Sequence, residues 1–350
     1  MNKNDKILVT GGTGFIGSYI LRELIQQGYE NIHAIRRPDS EMALVQDFQH
    51  MIDWHTADLD DVDKIYEITK GSQRVIHSAG LVSFSPGDRD LLYEINARGT
   101  EYLVNACLEN QVARLIHISS IAALAKVKNG EMISEKTTWT DDKHTSHYGR
   151  SKHLGEIEVW RGMAEGLDAI ILNPTVVLGA GIWESSSCQL FMQIFKGLKY
   201  YTPGSTGFVD VRDVARIAVS MMTTSRVNEA YVINESNYRF RDIFTWMAQG
   251  LDVPPVSRLA PRWIARGIVN MEYIKSKLTG IRPVITSDSV RNAYENFHYS
   301  NQKIKSLGFS FIPIEQTIRE TTELLREAAK NDFKPALLHP VPVSESNLTT

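Results

Sequence analysis

The chain has 350 residues, 38 Lys and Arg against 41 Asp and Glu, and a formal net charge of −3. Its composition, 43% hydrophobic and 23% charged, is typical of a soluble globular protein built as one large domain or two moderate ones. The near-neutral charge without a basic run argues against a nucleic-acid binder, and two cysteines without a Cys-x-x-Cys pair argue against a disulfide scaffold or a zinc ribbon.

The first half of the chain alternates short apolar runs with longer amphipathic segments. The runs predict β-strands at residues 6–10, 31–36, 53–57, 74–79, 114–119 and 169–174. A first helix is predicted from Phe15 to a C-cap at Gly28, and another over 90–110, in which Cys107 is a packed hydrophobic residue. Alternating strands and helices form parallel strands with right-handed crossovers, so we predict a Rossmann-type, doubly wound parallel α/β sheet.

The pattern changes near residue 180. Residues 208–222 predict a strand followed by a helix, 229–234 predict another strand, and helical patterns dominate from 236 to 330. We predict a sheet domain, a smaller, mostly helical C-terminal substrate lobe, and a tail that is poorly packed or lies on the surface. Their boundaries are 1–183 plus 209–235 for the domain, 184–208 plus 236–330 for the lobe, and 331–350 for the tail. Five aromatic residues fit either a pocket lining or core packing: Trp183, Phe191, Phe195, Tyr200 and Tyr201.

The segment ILVTGGTGFIGSYI is the most specific stretch of the chain. Gly11, Gly14 and Gly17 lie between the first strand and the first helix, where glycines allow a tight turn, close approach of the backbone to a pyrophosphate, and close helix–strand packing. The start of the helix, at Phe15 and Ile16, offers N–H donors and a positive dipole end to phosphates. The sheet domain is therefore predicted to bind a dinucleotide.

The end of the second strand distinguishes between the two nicotinamide dinucleotides. An acidic residue there prefers NAD(H), because it accepts hydrogen bonds from the ribose 2′-OH. This chain has Arg36 and Arg37 at that point, and guanidinium groups suit a 2′-phosphate. NADP(H) is therefore the predicted preference, while NAD(H) stays an alternative because two arginines are also consistent with a solvated loop.

Later strand ends supply further candidates for cofactor contacts. Asp58 and Leu59 follow the third strand, where a carboxylate can meet an adenine amino group; Asp58 is also a candidate N-cap of the next helix. Ser78, Ala79 and Gly80 end the fourth strand, and their small size would let a cofactor lie against the strand ends.

A Tyr-x-x-x-Lys spacing occurs four times in the chain. Tyr148 and Lys152 lie one crossover beyond a strand that ends in Ser119 and Ser120, at the edge where such sheets bind ligands. They share one helix face, and the ammonium is expected to lower the tyrosine pKa from its usual ~10 toward neutrality. The other three pairs are predicted to be surface or packing pairs: Tyr66/Lys70, Tyr273/Lys277 and Tyr299/Lys303.

Together these segments resemble the extended short-chain dehydrogenase/reductase family. TGGTGFIG, ADLDD, IHSAG, INARGT, HISS, YGRSK, NPTVVLGAG and FVDVRDVA occur in that family's order and rough spacing, over residues 5–235. IRRPDS and NPTVVLGAG are most similar to its dihydroflavonol-reductase-like branch. The resemblance implies that Tyr148 donates a proton, that Lys152 holds the nicotinamide ribose, and that Ser120, or failing it Ser119, orients the substrate oxygen.

The resemblance has further implications for individual residues. It implies a cofactor contact for Asn96, with helix packing as an alternative, and places Pro174 and Thr175 beside the nicotinamide. It also implies a homodimer through the helix that carries the Tyr–Lys pair. His77 and His117 lie inside strands without a partner at ligand spacing, so they are expected to be buried structural residues and no metal site is predicted.

The predicted activity is reduction of a small-molecule ketone or aldehyde, or oxidation of the matching alcohol, by hydride transfer with NADP(H). Alternatives are a nucleotide-sugar epimerase or dehydratase with tightly held NAD, and a non-catalytic cofactor-sensing regulator, against which Ser120, Tyr148 and Lys152 argue. A third alternative is a membrane-associated sterol-type dehydrogenase, because segment 261–278 of this chain is amphipathic enough to lie on a bilayer. We expect this segment to cover the substrate pocket instead. Without a signal-peptide core or an apolar stretch of ~20 residues, we expect a cytoplasmic protein that does not associate with membranes.

Overall fold

The computed structural model describes residues 2–125, 131–140, 145–279 and 287–338; at 86, 272–279, 288 and 289 it describes the backbone only. The strands in these ranges are β1 (Ile7–Thr10), β2 (Ile32–Arg36), β3 (Asp53–Thr56), β4 (Arg74–His77), β5 (Arg114–Ile118), β6 (Met132–Ile133), β7 (Ala169–Pro174), β8 (Val176–Leu178), β9 (Tyr200–Tyr201), β10 (Ser205–Asp210), β11 (Glu229–Ile233), β12 (Ser236–Arg239), β13 (Arg258–Leu259) and β14 (His298–Tyr299).

The α-helices in the same ranges follow the expected alternation with the strands. They are α1 (Phe15–Gln26), α2 (Val62–Thr69), α3 (Arg89–Tyr93), α4 (Gly99–Glu109), α5 (His147–Ala164), α6 (Cys188–Phe195), α7 (Val211–Met221), α8 (Phe240–Leu251), α9 (Arg262–Thr279), α10 (Ser287–Ala293), α11 (Gln302–Lys305) and α12 (Ile314–Ala328). A π-helical turn at Glu94–Arg98 joins α3 to α4.

Seven parallel strands form the central sheet, in the order β11-β7-β5-β4-β1-β2-β3. Side chains alternate across it, so that in β1 Ile7 and Val9 join one core cluster while Leu8 joins the other. Helices α1 and α7 pack together on one face, and α2, α4 and α5 pack on the other. The chain thus has the predicted Rossmann-type, doubly wound fold, with apolar strands because both faces are covered.

A smaller, mostly helical lobe follows the sheet, as predicted. Helices α8 and α12 pack on each other, and the buried face of α12 repeats at helical spacing through Ile314, Ile318 and Leu325. Short strands accompany them: β12-β10-β8 form a second sheet, β13 pairs with β9, and β14 pairs with β6. Strand β10 runs across the predicted division at 208/209, and the domain boundaries stay a prediction.

The segment after α12 is packed, and the prediction of a poorly packed tail is wrong for residues 331–338. Leu337 and Leu338 are buried in the main core cluster, and the Leu338 N–H donates to the Tyr19 hydroxyl at 2.7 Å. That hydroxyl donates to the Ala180 carbonyl at 2.8 Å. Two adjacent leucines carry no periodicity, so the sequence did not reveal this packing. Residues 339–350 lie outside the described part of the chain.

The aromatic residues around α6 belong to the core. Trp183 and Phe191 are fully buried, and Phe195 packs edge-to-face on Phe333. Neither these side chains nor the two tyrosines of β9 line the cavity described below. Side chains of α9 within 262–271 do not line it either. The side chains of 272–278 lie outside the described residues, so the covering role of segment 261–278 stays a prediction. No helix in the described ranges is long and apolar enough to span a bilayer.

Candidate active site

The carboxyl ends of the seven parallel strands lie along one edge of the sheet. The predicted site residues follow these ends in turn: Gly11–Gly17 after β1, Arg36 and Arg37 at β2, Asp58 and Leu59 after β3, Ser78–Gly80 after β4, Ser119 and Ser120 after β5, and Pro174 and Thr175 at β7.

The glycine loop forms a cradle that larger residues would fill. Gly11 has a φ of +71°, and a Cβ there would lie 2.6 Å from the Ala79 nitrogen. A Cβ on Gly17 would overlap the Gly11 carbonyl oxygen. Gly14, at the N-cap of α1, is exposed, and no side chain caps the helix. The N–H groups of the first turn, including those of Phe15 and Ile16, are thus offered to an anion, which fits a dinucleotide pyrophosphate.

Two cationic side chains follow the glycine loop along the sheet edge. Arg36 ends β2, and within the described ranges it makes no ion pair. Arg37 is exposed, with its Nε 3.6 Å from Asp39 Oδ1, and its N–H donates to Ser40 Oγ at 2.9 Å. No acidic residue occupies the end of β2, so the ribose end of a dinucleotide would meet positive charge.

Asp58, the first residue of interest after β3, does not take one of the two roles predicted for it, that of N-cap of the next helix. Asp58 is exposed, and its Oδ1 accepts a hydrogen bond from the Leu59 N–H at 2.7 Å. The N-cap of α2 is Asp61, so the alternative role of Asp58 as an N-cap is wrong. Leu59 is buried against Gly99, where a Cβ would lie 2.9 Å from Leu59 Cδ1. The Asp58 carboxylate therefore stays free to meet a ligand; its contact with adenine stays a prediction.

Asn96 holds the loop after β4. It is buried in the π-helical turn, and its Oδ1 accepts from the Leu81 N–H at 2.8 Å while its Nδ2 donates to the Leu81 carbonyl at 2.9 Å. The same Nδ2 donates to Ser151 Oγ on α5 at 3.0 Å. These bonds give Asn96 the helix-packing role that the sequence analysis named as the alternative to a cofactor contact. Gly80 lies beside it, where a Cβ would stand 3.7 Å from Lys152 Nζ.

The side chains of Tyr148 and Ser120 hydrogen-bond to each other, and both line the cavity described below. Ser146 caps α5 by accepting from the Gly149 N–H at 3.1 Å, which places Tyr148 in the first turn. Burial raises the pKa of Tyr148 above its usual 10.0, and a hydrogen bond with Ser120 opposes the rise. The expected lowering of this pKa is therefore wrong for this structure. A neutral phenol keeps its proton and suits the role of a donor.

Lys152 lies one turn further along α5, with its ammonium buried. Its Nζ donates to the Ile118 carbonyl at 3.0 Å. Burial lowers the pKa of Lys152 to about 8, against the opposing effect of the Glu156 carboxylate. Lys152 thus ties α5 to the end of β5 beside the predicted nicotinamide site.

Glu156 is a site residue that the sequence analysis missed. Its buried Oε1 accepts from Ser119 Oγ at 2.5 Å and from Asn173 Nδ2. The same Asn173 Nδ2 donates to the Ser120 carbonyl at 3.2 Å. Burial raises the pKa of Glu156 to about 7 although both hydrogen bonds lower it. Ser119 therefore faces the interior and not the cavity. The one feature of the sequence that could have pointed to Glu156 is its position four residues after Lys152, on the same face of the helix.

The cavity beside Tyr148 and Ser120 has a volume of about 260 Å³ and an apolar lining. Thr175 and Thr206 contribute hydroxyl groups, and no lining residue in the described ranges carries a charged side chain. Besides Tyr148, the aromatic members of the lining are Phe84, Trp139, Phe240, Phe297 and Tyr299. Eight further lining residues come from the segments next to Ser120 and Tyr148, and the sequence analysis did not assign them to the substrate site: Ile121, Ala122, Leu124, Ala125, Trp139, Thr140, Thr145 and Ser146.

Two of the remaining Tyr–Lys pairs have no comparable setting in the structure. Tyr299 lines the cavity, but Lys303 turns away from it to pair with Glu229 at 2.9 Å. Tyr66 is partly buried beside α4. The side chains of Tyr273 and Lys277 lie outside the described residues. His77 and His117 are buried, as predicted.

Comparison with known proteins identifies the chain. Residues 7–234 match the model of the NAD dependent epimerase/dehydratase family. The chain belongs to this family. As a member with reductase-named relatives, it is an NAD(P)-dependent oxidoreductase of the extended short-chain type.

Two curated relatives and one solved structure from this family show how far the likeness extends. A Synechocystis protein named "Putative dihydroflavonol 4-reductase" is 27% identical over 327 residues, covering 90% of this chain and 93% of the relative. Cinnamoyl-CoA reductase 1 of Petunia hybrida is 26% identical over 336 residues, covering 92% of each chain. The crystal structure of gox2253 superimposes with a TM-score of 0.79 at 25% identity, covering 93% of this chain and 99% of the other.

Proposed function

We propose that this oxidoreductase reduces the carbonyl group of an uncharged ketone or aldehyde with NADPH, with Tyr148 as proton donor. The observation that carries the proposal is the contact of Tyr148 and Ser120 at an apolar, aromatic-lined cavity whose described lining residues carry no charge. Apolar walls bind an uncharged substrate and exclude water, whereas the diphosphate of a nucleotide sugar would find no charged partner among the described lining residues.

The catalytic residues divide the work between proton donation and orientation. Ser120 hydrogen-bonds the substrate carbonyl oxygen and directs it toward Tyr148, whose neutral hydroxyl gives up its proton as negative charge develops. When bound, the dihydronicotinamide supplies the hydride to the carbonyl carbon. Lys152, with its ammonium at the end of β5, holds the ribose hydroxyls and stabilises the tyrosinate that remains after proton transfer. Glu156 holds both strand ends in place through Ser119 and Asn173.

NADPH is the proposed cofactor because Arg36 and Arg37 stand where an acidic residue would favour NADH. Asp58 and Leu59 would meet the adenine, Gly11, Gly14 and Gly17 the pyrophosphate, and Ser78, Ala79 and Gly80 the face of the cofactor. Pro174 and Thr175 would lie beside the nicotinamide. We include Asn96 as a residue that positions this loop.

The test compares two substrate classes on the purified protein. NADPH oxidation, followed by absorbance, should occur with members of a panel of uncharged aromatic and aliphatic ketones and aldehydes. Incubation with nucleoside-diphosphate sugars and NAD should give no epimer or dehydration product. Turnover of a nucleotide sugar by protein that purifies with firmly held NAD would overturn the proposal in favour of an epimerase.

We also propose that the protein is a homodimer through α5. Leu154, Ile157 and Trp160 are exposed on one face of this helix, each 37–43% accessible. Unpartnered apolar side chains in a row are typical of an interface. Light scattering at micromolar concentration should give the mass of two chains, and Trp160→Glu should give one; a parent protein of monomeric mass would contradict the interface.

A further inference from the structure

A second cluster of ligand-type side chains lies on the two edge strands of the central sheet. His33 on β2 is paired in register with Asp53 on β3, and His55 follows two residues later on the same sheet face. One ligand atom from each of the three side chains lies within 4.8 Å of the others. Within the described ranges, no other three His, Cys, Asp or Glu side chains meet in this way.

The hydrogen bonds of His33 define its tautomer. Its Nε2 lies 2.8 Å from Asn31 Oδ1, and an amide oxygen can only accept, so Nε2 carries the proton. In the neutral ring Nδ1 then presents a lone pair. Donation of the second ring N–H to a fixed oxygen is the usual way in which proteins orient a metal-binding histidine.

The lone pair of His33 Nδ1 faces two further donor atoms. Asp53 Oδ2 lies 3.2 Å away and His55 Nε2 lies 2.9 Å away. Without a metal, His55 Nε2 carries a proton and donates it to His33 Nδ1, while the Asp53 carboxylate oxygen faces the same nitrogen with no proton between them. A cation in place of that proton would interact with the lone pairs of all three side chains. In a tetrahedral site with metal–ligand bonds near 2.0–2.1 Å, ligand atoms stand about 3.3 Å apart, close to both observed distances.

We propose that His33, Asp53 and His55 bind one Zn²⁺ ion at the edge of the sheet, with solvent as the fourth ligand. Two imidazoles and one carboxylate suit zinc and disfavour Mg²⁺ or Ca²⁺, which prefer oxygen ligands. The exposed Asp53 carboxylate, 62% accessible, leaves an open side through which the ion enters. The inference is independent of the proposed activity, because the three residues take no part in it.

The Lys6 ammonium is a positive charge that opposes the ion, since it acts electrostatically on both His33 and Asp53. It donates to the carbonyls of Ile68 and Lys70, at 2.7 and 2.9 Å, at the end of α2. The negative end of that helix offsets part of its charge. The prediction of no metal site followed from local spacing, which cannot reveal ligands that come from two strands.

Zinc titration of the EDTA-treated, dialysed full-length chain tests the proposal. Isothermal titration with ZnCl₂ at pH 7.5 should show one saturable ion per chain, and MgCl₂ should show none. Asp53→Asn, a change at an exposed position, should weaken zinc binding by roughly tenfold or more, and Asn31→Ala should weaken it by a similar factor through loss of ring orientation. His50→Gln, at an exposed histidine outside the cluster, is the matched control and should bind as the parent does.

A second readout keeps the test decisive if a variant is unstable. Because the ligands join β2 to the edge strand β3, zinc should raise the Tm of the parent and of His50→Gln, but not of His55→Gln. Absence of saturable zinc binding by the parent would overturn the site. Equal binding by the parent and Asp53→Asn would overturn it as well.

Discussion

The two halves of the sheet edge are built in different ways. The half at β1 to β3, which we propose binds the cofactor and call the cofactor half, consists of three short segments: the glycine loop, Arg36–Arg37 and Asp58–Leu59. The half at β5 and β7, which we propose binds the substrate and call the substrate half, is lined by side chains from the loop after β4, the segments around Ser120 and Trp139, and the C-terminal lobe. A phosphate can be held by one loop and one helix start, whereas an uncharged molecule needs apolar surface from several elements.

Replacing Tyr148 should abolish most of the turnover that depends on the substrate half and leave cofactor binding in the other half unchanged. Tyr148→Phe removes the proton donor and keeps the ring, so kcat should fall by roughly 10²-fold or more while the Kd for NADPH hardly changes. Tyr299→Phe is the matched control, since it removes a hydroxyl from the same cavity wall and should retain most of the activity. Steady-state kinetics and NADPH fluorescence titration measure both, and full activity of Tyr148→Phe would remove this residue from the mechanism.

Glu156 should make the stability of the substrate half depend on pH. Its pKa is raised from 4.5 to about 7 on folding, so the native state binds the extra proton and stability falls as pH rises between these values. Glu156→Gln removes that penalty, so its free energy of unfolding relative to the parent should improve by up to about 3 kcal/mol from pH 4.5 to pH 7.

Chemical denaturation at several pH values measures this difference. Ser119→Ala removes one hydrogen bond that stabilises the ionised form and should steepen the pH dependence of the protein that retains Glu156. A difference between Glu156→Gln and the parent that is constant with pH is the result that would contradict the raised pKa.

Arg36 should affect the cofactor half alone. One charge-assisted contact to the 2′-phosphate contributes about 1.5–3 kcal/mol, which corresponds to roughly 10- to 100-fold discrimination. The parent should therefore bind NADPH at least roughly tenfold more tightly than NADH, and Arg36→Ala should lose most of that preference with kcat unchanged at saturating cofactor. Fluorescence titration with both dinucleotides tests this, and equal affinities for the parent protein would favour the NAD-holding alternative.

Replacing Tyr19 should have the smallest effect, and that effect should be on the stability of the protein and not on cofactor or substrate binding. Tyr19→Phe leaves the Ala180 carbonyl and the Leu338 N–H without their buried partner, which should cost about 1 to 2 kcal/mol of stability. Tyr29→Phe, at another buried tyrosine, is the control and should change stability by less than about 0.5 kcal/mol. Urea denaturation of both variants provides the comparison, and equal midpoints would show that the tail contributes nothing through this bond.

The contrast between the two halves of the sheet edge also explains which features could be predicted from the sequence. The strands, the doubly wound sheet and the helical lobe were predictable because apolar periodicity is a local property, and the glycine loop was predictable because its spacing has one structural use. Trp139 and Phe297 on the cavity wall were not, since nothing within their own segments links them to Tyr148. Glu156 escaped notice because its partners come from two distant segments, Ser119 after β5 and Asn173 on β7, and burial alone raises its pKa.

The bond from Leu338 to Tyr19 has a consequence for the order in which the protein is made. Helix α1 and Leu338 lie more than three hundred positions apart in the chain, yet one buried hydroxyl joins them. A nascent chain that contains α1 but has not yet reached residue 338 therefore carries this helix with one of its anchors missing. We expect a chain truncated between these two points to be cleaved more readily by proteases at α1 than a chain that includes Leu338.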